Sequence, residues 1–167
     1  SIQKVSKPIV VAANKADITS DDNKNKLVEA SAILTSADFE LALKNAKKAE
    51  LIDYVPGSSE FKINASNLND NQINALNSIS NFLVVNKSTG IQECLEKAVL
   101  DKLDLIAIYP VEDETHFTDS QNRILPDVFL LPRGSTALDL AYKVHSDIGD
   151  GFIRAIDCRS KRVIVKD

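Results

Sequence analysis

The stretch Pro8-Ile9-Val10-Val11-Ala12-Ala13-Asn14-Lys15-Ala16-Asp17 joins an apolar half to a polar half. Its first six residues form a continuous apolar run rich in β-branched side chains, the pattern of a parallel strand covered on both faces. The run breaks abruptly into Asn14-Lys15-Ala16-Asp17. Ser20-Asp21-Asp22-Asn23 then offers capping side chains, and Lys24 to Ala32 reads as a helix. Ile33-Leu34-Thr35 is a second short strand. Strand, helix, strand within about 30 residues is a βαβ unit, so the chain opens as an α/β fold.

The whole chain fits that beginning. Its 167 residues are 44% hydrophobic and 26% charged, the balance of one or two small globular domains. No apolar run approaches the roughly 18 residues of a membrane span. Ser1-Ile2-Gln3-Lys4 lacks the apolar centre of a signal peptide. Cys94 and Cys158 lie too far apart in sequence for a disulfide framework or a zinc site, and read as buried, reduced thiols of a cytoplasmic protein. The absence of methionine leads us to expect a piece of a longer protein. Residues 1–119 carry 12 Lys/Arg against 18 Asp/Glu, and residues 120–167 carry 8 against 6. An acidic body with a mildly basic end argues against nucleic-acid binding by the whole molecule, but leaves room for a contact at that end.

Residues beyond the βαβ unit divide into a helical middle and a strand-rich end. Phe39, Ala42, Leu43 and Ala46 recur at helix spacing, and Thr35 with Asp38 fits a capping box. Pro56-Gly57-Ser58-Ser59 is a turn, and an Asn-rich polar stretch runs from Asn64 to Asn74. Ile73, Leu76, Ile79 and Leu83 mark a second helix, with Phe82 beside the stripe. After the loop Lys87-Ser88-Thr89-Gly90, Thr89 with Gln92 fits another capping box. Ile91, Leu95, Ala98, Val99 and Leu103 make a third amphipathic helix. At Leu105 the pattern changes. Strands are expected at 105–109 and 128–131, each stopped by a proline, with a polar connection from Glu112 to Arg123. Thr136 caps a helix from Ala137 to His145 with Asp139, and Gly149 and Gly151 end it. Phe152 to Ile156 and Arg162 to Val165 are short strands around Arg159-Ser160-Lys161. Several strands and one crossing helix within about 65 residues describe a small α+β domain.

The polar loop after the first strand admits two readings. It is either a strand-to-helix connection that caps the next helix, or a ligand site, because open α/β sheets bind ligands beyond the carboxyl ends of their strands. In the second reading Asp17 accepts two hydrogen bonds from the N1–H and 2-amino group of a guanine. Adenine has no such donor pair, so the carboxylate would reject it. Asn14 bridges the O6/N7 edge and neighbouring loops, and Lys15 lays its methylene stem on the ring. Thr35-Ser36-Ala37, ending the second strand, places a backbone N–H at Ala37 within reach of O6.

An NKxD segment and a TSA segment about 20 residues apart, each ending a strand, resemble the base-recognition half of a GTPase. The chain resembles the C-terminal part of an Obg/DRG-like (archaeal/eukaryotic, YchF-related) GTP-binding protein with a TGS domain. Asn14, Lys15 and Asp17 match the NKxD guanine motif, and Ser36 and Ala37 match the SA motif. Ser88-Thr89-Gly90-Ile91-Gln92-Glu93 corresponds to the last helix of the GTPase domain, displaced by about 50 residues. Residues 38–86 therefore look like the helical insertion of this subfamily. Ile108-Tyr109-Pro110-Val111, Leu125-Pro126-Asp127, Gly134-Ser135-Thr136, Ala141-Tyr142-Lys143-Val144-His145, Asp147-Ile148-Gly149 and Phe152-Ile153-Arg154-Ala155-Ile156 resemble a TGS domain. The resemblance implies an α/β GTPase-domain remnant with its insertion in residues 1–103 and an α+β β-grasp domain in 104–167. It implies GTP as ligand, with Mg²⁺ only in the full-length protein, and the ribosome or RNA as partner.

The phosphate half of such a site has no counterpart here. No Gly is followed by Lys, so GxxxxGK[ST] is absent, and no Asp has Gly three residues on. Without a P-loop Lys, a Mg²⁺-holding Ser/Thr and a water-positioning switch, phosphoryl transfer has no machinery. We expect these 167 residues not to hydrolyse GTP alone, and assign no catalytic residue and no metal ligand. His145 reads as a helix-end histidine facing terminal carbonyls, and His116 as part of a solvated acidic loop, with a metal site as the alternative. Arg154, Arg159, Lys161 and Arg162 are either an RNA contact or basic edges that keep strands soluble. A nucleotide switch and a non-catalytic RNA- or protein-binding TGS adaptor module are thus the two function classes.

Overall fold

The computed structural model describes residues 8–66, 68–125 and 127–165. Part of the Asn-rich patch (Asn67) and the middle of Leu125-Pro126-Asp127 lie outside the described residues. The chain divides into two units, residues 1–102 and 103–167.

In the first unit, β1 (Ala12–Ala13) pairs in parallel with β2 (Ile33–Leu34), Ala12 opposite Ile33 and Ala13 opposite Leu34. They are joined by α1 (Asp21–Glu29), the right arrangement for a βαβ unit. The strand is shorter and more open than its composition predicts. Ile9 and Val11 are 67% and 54% exposed, because β2 is its one strand neighbour among the described residues and a two-stranded sheet leaves faces uncovered. The helix also starts earlier than Lys24, with Asp21 and Asp22 in its first turn, where carboxylates suit the helix dipole.

α2 (Ala37–Lys48) follows β2 directly. Its cap is Ser36, whose Oγ accepts from the Phe39 N–H at 3.3 Å, and not Thr35. Thr35 is still engaged as a strand residue: its N–H donates to Ala13 O and its carbonyl accepts from Ala16 N–H. Instead of an all-helical middle, the hairpin-like pair β3 (Ile52–Asp53) and β4 (Lys62–Ile63) runs antiparallel around the Pro56–Gly57 turn. α3 (Asp70–Asn86) then begins inside the Asn-rich stretch, where Asn69 and Gln72 form a reciprocal capping box. Leu43, Ile52, Tyr54, Leu76, Ile79, Phe82 and Leu83 form one buried core with Ala16. Phe39 meets Phe82 edge to face at 5.3 Å.

The third expected helix is split. α4 (Ile91–Glu96) starts at Gly90, and residues Lys97–Lys102 widen into a π-helix, the register change left by one extra residue in the ladder. Thr89 does not cap α4, because its hydroxyl is committed to Glu40. No described helix is long and apolar enough to cross a membrane.

In the second unit, β5 (Leu105–Ile108) pairs antiparallel with β6 (Phe129–Pro132), and β7 (Arg154–Ile156) with β8 (Val163–Val165). The two pairs are separate sheets among the described residues. α5 (Ala137–Val144) carries the Thr136–Asp139 capping box. It ends a residue early, because His145 is extended and a new short helix, α6 (Ser146–Asp150), follows. The His145 ring does not meet terminal carbonyls; its Nδ1 accepts from the Asp147 N–H at 3.2 Å, serving the start of α6. Residues 112–124 form a small ladder around Thr118 rather than a bare connection. There the His116 ring lies 2.7 Å from Asp113, a contact that, with two backbone N–H bonds, holds Asp113 near pKa 2.

Candidate functional site

The segment after β1 folds back on the segment after β2. Lys15 has a left-handed backbone, φ +67°, an uncommon conformation for a residue with a Cβ. It turns the chain so that the Lys15 carbonyl accepts from the Ile18 N–H (3.2 Å) and the Thr19 hydroxyl (2.8 Å). Ala16 points inward and is buried, and its N–H donates to Thr35 O at 3.0 Å. This alternation leaves Asn14 and Lys15 exposed and Asp17 half-buried.

The structure brings Asn14, Ala37 and Ser36 together. The Ala37 N–H donates to Asn14 Oδ1 at 3.1 Å, a bond across 23 positions of sequence that ties the two loops. The expected direct route from this N–H to a base oxygen is therefore taken by Asn14. Because a backbone N–H can only donate, the atom facing it is the amide oxygen, and among the described residues the Nδ2 end of Asn14 keeps both its donors. Ser36 is fully buried. Its side chain caps α2 and its N–H donates to Thr89 O at 2.9 Å, so it positions the loop and does not reach the surface.

Asp17 lines a cleft of about 330 Å³ with Lys24, Phe39, Asn81, Phe82 and Asn86 among its walls. Among the described residues its carboxylate has no hydrogen-bond or ion-pair partner, while neighbouring Lys24 is paired with Asp21 at 3.1 Å. Such a carboxylate leaves its acceptor positions open to the donors of a ligand.

Behind the loops lies a group that residue patterns did not single out. Glu40, on the buried side of α2, accepts from the Tyr54 hydroxyl (2.9 Å) and the Thr89 hydroxyl (2.6 Å). Lys44 stands 3.6 Å from its other oxygen. Burial, reinforced by the carboxylate, pushes the Tyr54 phenol up to about 12. Gly90 presses on β2: with φ +75°, a Cβ there would fall 2.0 Å from the Leu34 carbonyl oxygen, so glycine is required. The one sequence signal for this network was an acid beside the Phe39–Leu43 apolar stripe.

Arg154, Arg159, Lys161 and Arg162 are all exposed around β7 and β8, and Lys161 reaches the Glu114 carbonyl at 3.4 Å.

Residues 12–113 match the family described as "Obg-like GTPase YGR210-like, G4 motif-containing domain", and residues 120–163 match the TGS domain. A GTP-binding protein of Methanocaldococcus jannaschii, itself uncharacterised, is 46% identical over 165 residues, which is 96% of this chain and 42% of that protein. The crystal structure of a GTP-binding protein from Pyrococcus horikoshii superimposes with a TM-score of 0.67 at 41% identity, over 98% of this chain and 43% of that one. The chain thus spans about two fifths of the length of these relatives. With more than half of its residues inside the family match, and the NKxD and SA segments joined in space by Asn14 and Ala37, the chain belongs to the Obg-like GTPases, as a G4 motif-containing domain followed by a TGS domain.

Proposed function

We propose that residues 8–37 are the guanine-reading part of a GTP site completed elsewhere in a longer GTP-binding protein. The observation that carries this reading is a pair of polar ends on linked loops that have no partner among the described residues: the Asp17 carboxylate and the Nδ2 end of Asn14, whose oxygen is held by Ala37. Asp17 accepts the N1–H and the 2-amino group, which adenine does not offer as donors. Asn14 Nδ2 donates to the O6/N7 edge, with Ala37 acting through it. The exposed Lys15 lays its stem on one ring face, and Ser36 holds Ala37 in place. The phosphate cradle and Mg²⁺ belong to the full-length protein, where hydrolysis takes place. This chain alone binds GTP weakly and turns none over, since helix N-termini and metal at the phosphates supply most of the affinity.

Residues 1–103 serve as the C-terminal part of the GTPase domain, with 38–86 as its insertion, and 104–167 as a β-grasp TGS domain. This domain docks the cytoplasmic protein on the ribosome or RNA. The exposed Arg154, Arg159, Lys161 and Arg162 support that role, because the chain before residue 120 is net acidic and repels phosphate.

Asp17→Asn in the full-length protein is the test. Asparagine offers an N–H where the carboxylate accepted, so it suits xanthine, which has a carbonyl at the place of the 2-amino group. Preference shifts from GTP towards XTP by about 100-fold, from two bonds to a charged group at about 1.5 kcal/mol each, read by competition between the two triphosphates. Unchanged preference removes Asp17 from the site and leaves the adaptor reading. For the basic end, RNA or ribosome affinity falls with salt at a slope of roughly −2 to −3 for three or four phosphate contacts, and Arg159→Glu with Arg162→Glu flattens it. A flat slope in the unsubstituted protein turns the assignment towards a protein partner.

A further inference from the structure

We infer that Glu40 is a positioning residue for base recognition, acting through Thr89. The inference rests on the guanine reading above and adds a residue that belongs to neither motif, four positions beyond Ser36. A buried charged group needs a reason to be retained, since desolvation is costly and an apolar core of the same shape is often as stable. Glu40 is 5% exposed and sits in the first turn of α2, where the helix dipole favours a carboxylate. Its Oε2 receives two hydroxyl donors from segments 14 and 49 positions away. One of these, Tyr54, lies in the wall of the core. The other, Thr89, leads to the site.

The connection from Thr89 runs through consecutive hydrogen bonds. Its hydroxyl is held by Glu40 at 2.6 Å. Its carbonyl accepts the Ser36 N–H at 2.9 Å. The next residue, Ala37, donates to Asn14 Oδ1 at 3.1 Å. All three of Ser36, Thr89 and Glu40 are buried, and Gly90 seals the same loop against the Leu34 carbonyl. The Ser36–Ala37 backbone is tied to the first loop through the Thr35 bonds to Ala13 and Ala16, and on its buried side it is braced, through Thr89, by one carboxylate, which bears on the direction of the Asn14 amide. Hydrogen bonds to a charged acceptor are short and strong, which suits a support that must place a donor within a few tenths of an ångström. Tyr54 hangs from the same oxygen but leads into the core, so it stabilises without aiming the loop.

This division of roles is testable in the full-length protein with guanosine and inosine diphosphates as probes. Both bases carry O6 and N7, which Asn14 reads; only guanine carries the 2-amino group, which Asp17 reads. Thr89→Val keeps the volume and removes the donor. It weakens GDP and IDP binding together, by about 5- to 10-fold at 25 °C, and leaves their ratio unchanged. Glu40→Gln does the same, with a lower melting temperature. Thr89→Ser, which keeps the hydroxyl, restores binding to within twofold. Tyr54→Phe lowers the melting temperature but leaves both affinities unchanged. A purely structural Glu40 would lower melting temperatures and leave the affinities of the folded protein alone: GDP binding within twofold of the unsubstituted protein in folded Thr89→Val overturns the inference. The guanine reading fails separately, if Asp17→Asn brings no turn towards xanthine. Where that turn is seen and Thr89→Val binds normally, only the role of Glu40 is lost.

Discussion

The two units of this chain solve the problem of stability differently. The first has a continuous apolar core running from Ala16 through Leu43, Ile52 and Tyr54 to Leu83, and a buried polar network behind its loops. In the second, Leu131 and Ala141 are the buried hydrophobic residues among those described, and all three residues of β8 are exposed. What orders the second unit is local: the Thr136–Asp139 capping box, and aspartates at 113, 119 and 157 that accept backbone N–H groups of residues close by in sequence. A short chain segment buries a small fraction of its surface, so hydrogen bonds made within a turn carry more of the order. The lesson is that a buried network such as that of Glu40 needs a core around it, and the first unit is where one exists.

Core truncation is the strongest way to break this contrast. Leu43→Ala empties a fully buried position and costs about 2–5 kcal/mol in urea unfolding, with Leu131→Ala at the low end of that range because its thinner surroundings collapse more readily. Equal losses would mean that the second unit has a core as tight as the first. Glycines give the next largest difference. Gly90→Ala combines left-handed strain with a clash on Leu34 and costs about 3 kcal/mol. Gly134→Ala, at φ +90° with open space around it, costs about 1 kcal/mol, from backbone strain alone. Both are read from melting midpoints.

The smallest effect is on pH dependence, where the units should part in opposite directions. Asp113, Asp119, Asp139 and Asp157 are all held below the usual carboxylate range by hydrogen bonds they accept, Asp113 to about 2. The folded state binds their protons less tightly than the unfolded chain, so what they contribute is present above about pH 4 and lost as the pH falls towards 2. Tyr54 is raised from 10.0 to about 12. The folded state keeps its proton more tightly, so its contribution is present below pH 10 and lost between there and about 12. Exposed Tyr142, raised by its bond to Asp150, adds a weaker alkaline response in the second unit. Residue-resolved hydrogen exchange should show protection failing first around Asp113 and Asp139 in acid, and first around Tyr54 and Thr89 in alkali. The reverse order would refute this assignment of the charges.

Reading residues in order recovered what depends on neighbours in the chain. The βαβ start, the stripes of α2 and α3 and the Thr136–Asp139 cap all rest on spacings of two to four residues, which the backbone turns directly into faces and caps. The pairing of Asn14-Lys15-Ala16-Asp17 with Ser36-Ala37 followed from their places at the ends of neighbouring strands. The caps expected at Thr35 and Thr89 lie elsewhere: parallel pairing with β1 carries the strand bonding through Thr35, so that α2 starts at Ala37 with Ser36 as its cap, and the Thr89 hydroxyl is taken by Glu40. Local propensity has no means of registering such competition.

The sequence by itself determined the chemistry available to this protein: a carboxylate, an amide and a lysine at one strand end, and a Ser-Ala turn at the next. Only the tertiary structure decided how those groups are used. It committed the Ala37 N–H to Asn14, withdrew Ser36 into the interior, left Asp17 without a partner among the described residues, and placed Glu40 behind them all. The physical reason is that donors and acceptors are satisfied across space, by whichever group the packing of Leu43, Ile79 and Leu83 brings within about 3 Å, and such distances are not written in the order of the residues.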